Sequence, residues 1–265
     1  MPIRFAHKPG LVVYLTVGDP DLETTRRVAL AALDAGAEVL ELGVPFSDPL
    51  ADGPVIQAAS ERALQHHTNM RDVLQLARQL RQERPEAGLV IFSYLNPILR
   101  FGLERFCAEA EAAGVDGVLA TDMIVEEAGE YLEHLRRHHL APIFLVAPTS
   151  PDERLKKIAA VGEGFLYAIS RVGITGAQSS LAAEAEPLVL RLRRYTSLPI
   201  AVGFGVSNAD HVAEIGHFAE AAVIGSAIVD KIEKAGRAEA PSSIARFIEG
   251  LRPSVVAAPV APLSR

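Results

Sequence analysis

The feature that most constrains this chain is a repeated alternation: a short apolar run, then a longer stretch with helical spacing, eight times over. The apolar runs lie near 11–17 (LVVYLTV), 38–42 (EVLEL), 89–93 (LVIFS), 117–120 (GVLA), 142–146 (PIFLV), 164–168 (GFLYA), 199–202 (PIAV) and 221–224 (AAVI). Near-continuous apolar runs of this length suit parallel strands buried on both faces. Helical patterns fall between them, near 21–35, 56–84, 102–113, 126–138, 151–160, 181–195, 208–217 and 241–251. A phrase recurs before several strands, in DAGAEVLEL, EAAGVDGVLA and HFAEAAVIG, where a turn ends one helix and the next strand follows at once. Eight even strand–helix units predict a single-domain α/β fold, a (β/α)8 TIM barrel over 1–252. A doubly wound sheet is the alternative, and it rarely uses eight such even units. The Pro/Ala-rich end, 253–265, reads as a disordered tail.

In such a barrel the active site lies at the C-terminal ends of the strands. That makes informative the loops TVGDP (16–20), GVPFSDPLADGP (43–54), YLNPILRFG (94–102), TDMIVEE (121–127), SRVGITGAQ (170–178), GFGVSN (203–208) and GSAI (225–228). Residues 39–57 stand out among them. Glu41 is a carboxylate inside an apolar strand, on the same face as Val39 and opposite Leu40 and Leu42. A charge buried on both faces is costly unless it has a partner or a task. Asp52 lies eleven residues on, in the following loop. A strand-end acid facing a loop acid is what acid–base chemistry requires.

The last loops suit a phosphate. Gly203, Gly205 and Gly225 follow strands directly, and Gly205 and Gly225 stand near helix starts, where backbone N–H groups and the helix dipole favour an anion. Ser226 adds a hydroxyl, and Gly176 closes the preceding loop over the same region. A glycine after a strand also serves as a plain turn; three at converging positions favour the anion.

Several chemistries are excluded. None of the five lysines (Lys8, Lys156, Lys157, Lys231, Lys234) ends a strand, so a Schiff-base nucleophile is missing. His134 and His138 share a helix face, but beside Arg136, Arg137 and His139 they read as a solvated surface rather than a metal site. Cys107 is the one cysteine, which rules out an intrachain disulfide and cysteine-cluster metals. A formal charge of −7 gives no basic excess for nucleic acid. The start, MPIRFAHKPG, lacks an apolar signal core and no run is long enough to span a bilayer, so the expected location is cytoplasmic.

The block LELGVPFSDPLADGP closely resembles the signature of the tryptophan synthase α subunit family, as do TVGDP, YLNP, SRVGITG, GFGVS and GSAIV, in the family's order across about 11–250. The resemblance implies a lyase that cleaves indole-3-glycerol phosphate to indole and glyceraldehyde 3-phosphate without a metal. It implies no cofactor in this chain, and a β subunit, carrying pyridoxal phosphate, that consumes the indole in an α2β2 assembly. By resemblance Glu41 is the catalytic acid/base, and Asp52 holds the indole N–H and stabilises positive charge on that nitrogen. Gly176, Phe204, Gly205, Gly225 and Ser226 grip the phosphate. Tyr14, Tyr94 and Tyr167 wall the indole, and Thr175 holds Asp52 when the 171–180 loop shuts. The tyrosines also fit ordinary core packing. The 45–57 loop resembles the family's β-facing segment. Two departures carry expectations: the short N-terminus predicts a barrel bottom lacking the family's covering helix, and Ile124 in place of the usual proline predicts a looser 122–127 loop. Outside this family, a phosphate-binding barrel without turnover or a sugar-phosphate isomerase would share the clamp but would not need the 41–54 block. A stand-alone lyase releasing free indole is the nearest variant.

Overall fold

The computed structural model describes residues 3–169, 181–203 and 205–252. The sheet is parallel throughout. Its strands are β1 (Gly10–Thr16), β2 (Val39–Gly43), β3 (Gly88–Ser93), β4 (Gly117–Ala120), β5 (Ala141–Ile143), β6 (Leu145–Val146), β7 (Leu166–Ile169), β8 (Ile200–Gly203) and β9 (Ala221–Ile224). The spatial order is β5-β4-β3-β2-β1-β9-β8-β7-β6. The two ends of this order, β5 and β6, are one pass of chain interrupted only at Phe144. Ala141 N–H donates to Asp116 on one side, and Tyr167 N–H donates to the Phe144 carbonyl on the other. The ring therefore closes covalently through Phe144, and the expected fifth strand is present as two short pieces. This is a (β/α)8 barrel.

Strand alternation sorts the side chains into two layers. Val12, Tyr14, Val39, Val90, Phe92, Leu119, Ile143, Phe165, Tyr167, Ala201, Ala221 and Val223 fill the interior. Leu11, Val13, Leu15, Leu40, Leu42, Leu89, Ile91, Val118, Leu166, Ile200 and Ile224 face the helices. No helix precedes β1 among the described residues, as expected, but the bottom is not left open. Ile3 is buried against the interior, and Phe5 meets Phe165 edge-on at 6.0 Å. An extended segment thus does a helix's work, correcting the expectation of an exposed base.

The recurring phrase before the strands has a physical reason. Its acid sits at the barrel bottom and bonds a backbone N–H and a basic side chain: Asp116 with Leu89 N–H and Arg81, Glu220 with Ile200 N–H and Arg193, and Glu38 with Ala6 N–H and His7.

Beyond α1 (Leu22–Asp34), the helices depart from expectation in three places. The stretch 56–84 is two helices, α2 (Pro54–Gln65) and α3 (Met70–Glu83), because His67 turns the chain with φ +59° and Asn69 with Asp72 forms a capping box that starts α3. The stretch 102–113 is α5 (Leu103–Ala112), preceded by an extra α4 (Leu95–Phe101). After α6 (Gly129–Arg137), α7 (Asp152–Val161), α8 (Leu181–Leu192) and α9 (Ala209–Gly216), the last helix α10 runs from Ser226 to Leu251 with a break at Gly236 (φ +70°). The histidines of α6 are paired rather than free: His134 and His138 reach Glu104, and His138 and His139 reach Glu111, across to α5. No cluster fit for a metal occurs among the described residues, and no described helix is long and apolar enough to cross a membrane. The expected tail, 253–265, lies outside the described residues.

Candidate active site

Glu41 sits in the barrel interior, in register with Tyr14 on β1 and Val90 on β3. It is 1% exposed, and among the described residues neither carboxylate oxygen has a hydrogen-bond partner. Burial pushes its pKa from 4.5 to about 8. A carboxyl group kept neutral in an apolar chamber is a proton donor poised near physiological pH.

Asp52 comes from the loop after β2. Burial raises its pKa to about 6, and the Tyr94 hydroxyl works against that rise by donating to Oδ2 at 3.1 Å. The same hydroxyl accepts from Ala51 N–H at 2.8 Å, so one tyrosine grips two consecutive loop residues. Phe46 packs its ring on Tyr94 at 5.3 Å, and Gln57 donates back to the Asp52 carbonyl at 2.8 Å. Asp52 is thus held on its side-chain and main-chain sides.

Tyr14 and Tyr167 stand inside the barrel, each 5% exposed. Burial raises both hydroxyl pKa values, and the charges of Asp52 and Glu41 add to the rise, so both acids act electrostatically on both tyrosines. Thr16 donates to the Tyr14 hydroxyl at 3.3 Å, and the Phe92 ring meets Tyr14 edge-on at 5.0 Å. Space for these tyrosines comes from glycines on the neighbouring strands. A side chain at Gly43 would strike the Tyr14 hydroxyl, and one at Gly203 would strike that of Tyr167. Gly203, expected to cradle an anion, therefore makes room for a tyrosine instead. Gly203→Ala is expected to push Tyr167 off its rotamer and destabilise the barrel by about 1–3 kcal/mol. Urea unfolding followed by tyrosine fluorescence, in a chain without tryptophan, reads this directly.

The remaining glycines fit the anion corner. Gly205 adopts φ +93°, a conformation that side chains resist. Gly225 is the N-cap of α10, where its carbonyl accepts from Ile228 and Val229 N–H. A side chain added at Gly225 would lie 3.7 Å from Tyr14 Cβ, so the start of α10, with exposed Ser226, sits beside Tyr14. Thr175, Gly176 and Phe204 lie outside the described residues.

Sequence reasoning missed Thr16, Gly43 and Phe92, although face parity with Tyr14 and Glu41 was the available signal. In the 16–20 loop, Asp19 proves to be a buried brace: Arg62 of α2 binds both its oxygens, at 2.8 and 2.9 Å, and reaches Glu233 of α10 at 3.0 Å. The helix that follows the Asp52 loop and the helix that follows Gly225 are tied together there.

The sequence profile of the tryptophan synthase alpha chain family matches residues 3–252. This chain belongs to that family. The tryptophan synthase alpha chain of Methylococcus capsulatus is 50% identical over 233 residues, 88% of this chain and 87% of its own length. That of Solibacter usitatus is 48% identical over 232 residues, 88% and 86% of the two chains. Among solved structures, a chain from the tryptophan synthase α2β2 complex of Pyrococcus furiosus superposes with a TM-score of 0.86 at 41% identity, covering 92% of this chain and 98% of that one. The alpha subunit of Legionella pneumophila gives 0.84 at 35% identity, covering 92% and 91%.

Proposed function

We propose that this chain cleaves indole-3-glycerol phosphate to indole and glyceraldehyde 3-phosphate, with Glu41 and Asp52 as its catalytic pair. The observation that carries the reading is a carboxyl group buried in the barrel interior without a hydrogen-bond partner among the described residues, with the tyrosine-held Asp52 in the loop that follows its strand. In the reaction, neutral Glu41 delivers its proton to the indole ring carbon that bears the glycerol chain. The ring nitrogen becomes positive, and ionised Asp52 stabilises it through the N–H. The Glu41 carboxylate then takes the glycerol hydroxyl proton as the carbon–carbon bond breaks. The bonding electrons return to the ring, the oxygen becomes the aldehyde carbonyl, and Glu41 is protonated again.

Tyr14, Tyr94 and Tyr167 wall the indole. Gly205, Gly225 and Ser226, with Gly176 and Phe204, hold the phosphate at the start of α10, and Thr175 braces Asp52 on closure. Neither metal nor cofactor enters the scheme. Indole passes to a tryptophan synthase β subunit, which carries pyridoxal phosphate, in an α2β2 assembly in the cytoplasm. Exposed Leu50, Leu99 and Ile124 follow the C-terminal ends of β2, β3 and β4, where apolar side chains suit a partner surface.

Release of glyceraldehyde 3-phosphate from indole-3-glycerol phosphate, with and without a β subunit, tests the reading. Slow turnover that rises strongly with β supports it. Rapid release of free indole, indifferent to β, points to the stand-alone lyase. Binding without turnover in either case replaces it with a non-catalytic barrel.

A further inference from the structure

Tyr94 can hold Asp52 only if its own backbone is fixed, and that backbone sits at a weak point. It is the N-cap of the seven-residue α4 and makes no side-chain capping bond of its own. The first N–H groups of a helix need outside acceptors. The acceptor comes from 27 residues away: Asp122 Oδ1 takes the Leu95 N–H at 2.7 Å. One residue earlier, Thr121 N–H donates to the Ser93 carbonyl at 2.9 Å, extending the β3–β4 pairing past its last strand residues. The loop after β4 therefore grips the chain immediately before and immediately after Tyr94. A tyrosine ring is rigid, so the placement of its backbone decides where its hydroxyl lies. The negative charge of Asp122 at a helix N-terminus strengthens the same grip.

We infer that Asp122 is a positioning residue for the cleavage: it fixes the start of α4, and through Tyr94 it fixes the Asp52 carboxylate. This rests on the reading of Asp52 as the group that faces the indole nitrogen. Asp122 itself is exposed, so its substitution removes the grip without disturbing the core. The Tyr94 hydroxyl is what holds the Asp52 pKa down, so losing the grip raises that pKa.

The test measures kcat, KM and the pH dependence of kcat/KM for wild type, Asp122→Ala, Asp122→Asn, Tyr94→Phe and the double variant Asp122→Ala/Tyr94→Phe. Asp122→Ala is expected to lower kcat about tenfold, with KM changed less, and to move the acid limb of the profile upward. Asp122→Asn retains an oxygen for Leu95 N–H and is expected to restore both. The double variant is expected to be no worse than Tyr94→Phe. In parallel, a carbon-13 NMR titration of the Asp52 carboxyl in the same proteins needs no substrate. An upward shift in Asp122→Ala supports the positioning role even if wild type fails to turn over, an outcome that would sink the lyase reading alone. An Asp52 titration unmoved in Asp122→Ala, or losses that add fully in the double variant, overturns the inference.

Discussion

Replacing Glu41 with glutamine is expected to lower kcat for cleavage about 1,000-fold while making the protein more stable at pH 7–8. Glutamine keeps the shape and fills the same interior position but can neither give nor take the proton, and a positioned acid–base group contributes about 10²–10⁴ in rate. The stability gain follows from the pKa. In the unfolded chain the carboxyl ionises near its ordinary 4.5, whereas the folded barrel keeps it protonated up to about 8. Between those values the folded state binds more protons, so stability falls as pH rises through this window. Glutamine removes that slope. The expected benefit at pH 7 is on the order of 2 kcal/mol, or about 5 °C in Tm for a chain of this size. Below pH 4.5 the two proteins should melt alike. The decisive measurement is Tm against pH for both proteins, beside their rates. A variant that is inactive but no more stable at pH 7 would mean that Glu41 has a partner in the resting barrel.

Much of this site was legible because strand parity is a strict rule. The alternation in VLEL put Glu41 inside with Val39, and the structure places both there. The loop acid and the glycine near the start of α10 followed from reading loops at the C-terminal ends of strands, whereas the tyrosines came from the family resemblance. What stayed hidden depends on contacts between strands. Gly203 read as a turn or anion glycine and Gly43 drew no reading of its own; only the register shows that they clear space for Tyr167 and Tyr14. The helix errors have local causes. Apolar spacing continues across 66–69, so the break showed only in the Asn69–Asp72 capping pair, which differs from the usual Ser/Thr and Glu form. The stretch 94–102 read as a loop, yet 95–101 is helical, and Pro97 falls in the first turn, where its missing N–H costs nothing. Asp122 stood unremarked in the 121–127 loop; its bond to Leu95 leaves no trace in local spacing.

Asp52→Asn is expected to cut kcat by about 100- to 1,000-fold and to erase the acid limb of the pH–rate profile. Asparagine still offers Tyr94 an acceptor oxygen, so the loop stays pinned and the loss reports charge alone. The magnitude is that of removing one preorganised group aimed at charge that develops in the transition state. For wild type, activity should rise as Asp52 ionises near 6 and fall as Glu41 loses its proton near 8, because the first proton transfer needs neutral Glu41 beside ionised Asp52. Burial alone sets the rise of Glu41, so the basic limb should stay near 8 in the variant. Steady-state cleavage rates from pH 5 to 9 for wild type and Asp52→Asn distinguish the possibilities. A variant that keeps both limbs at reduced height would assign the acid limb to another group and leave Asp52 a scaffold for the loop.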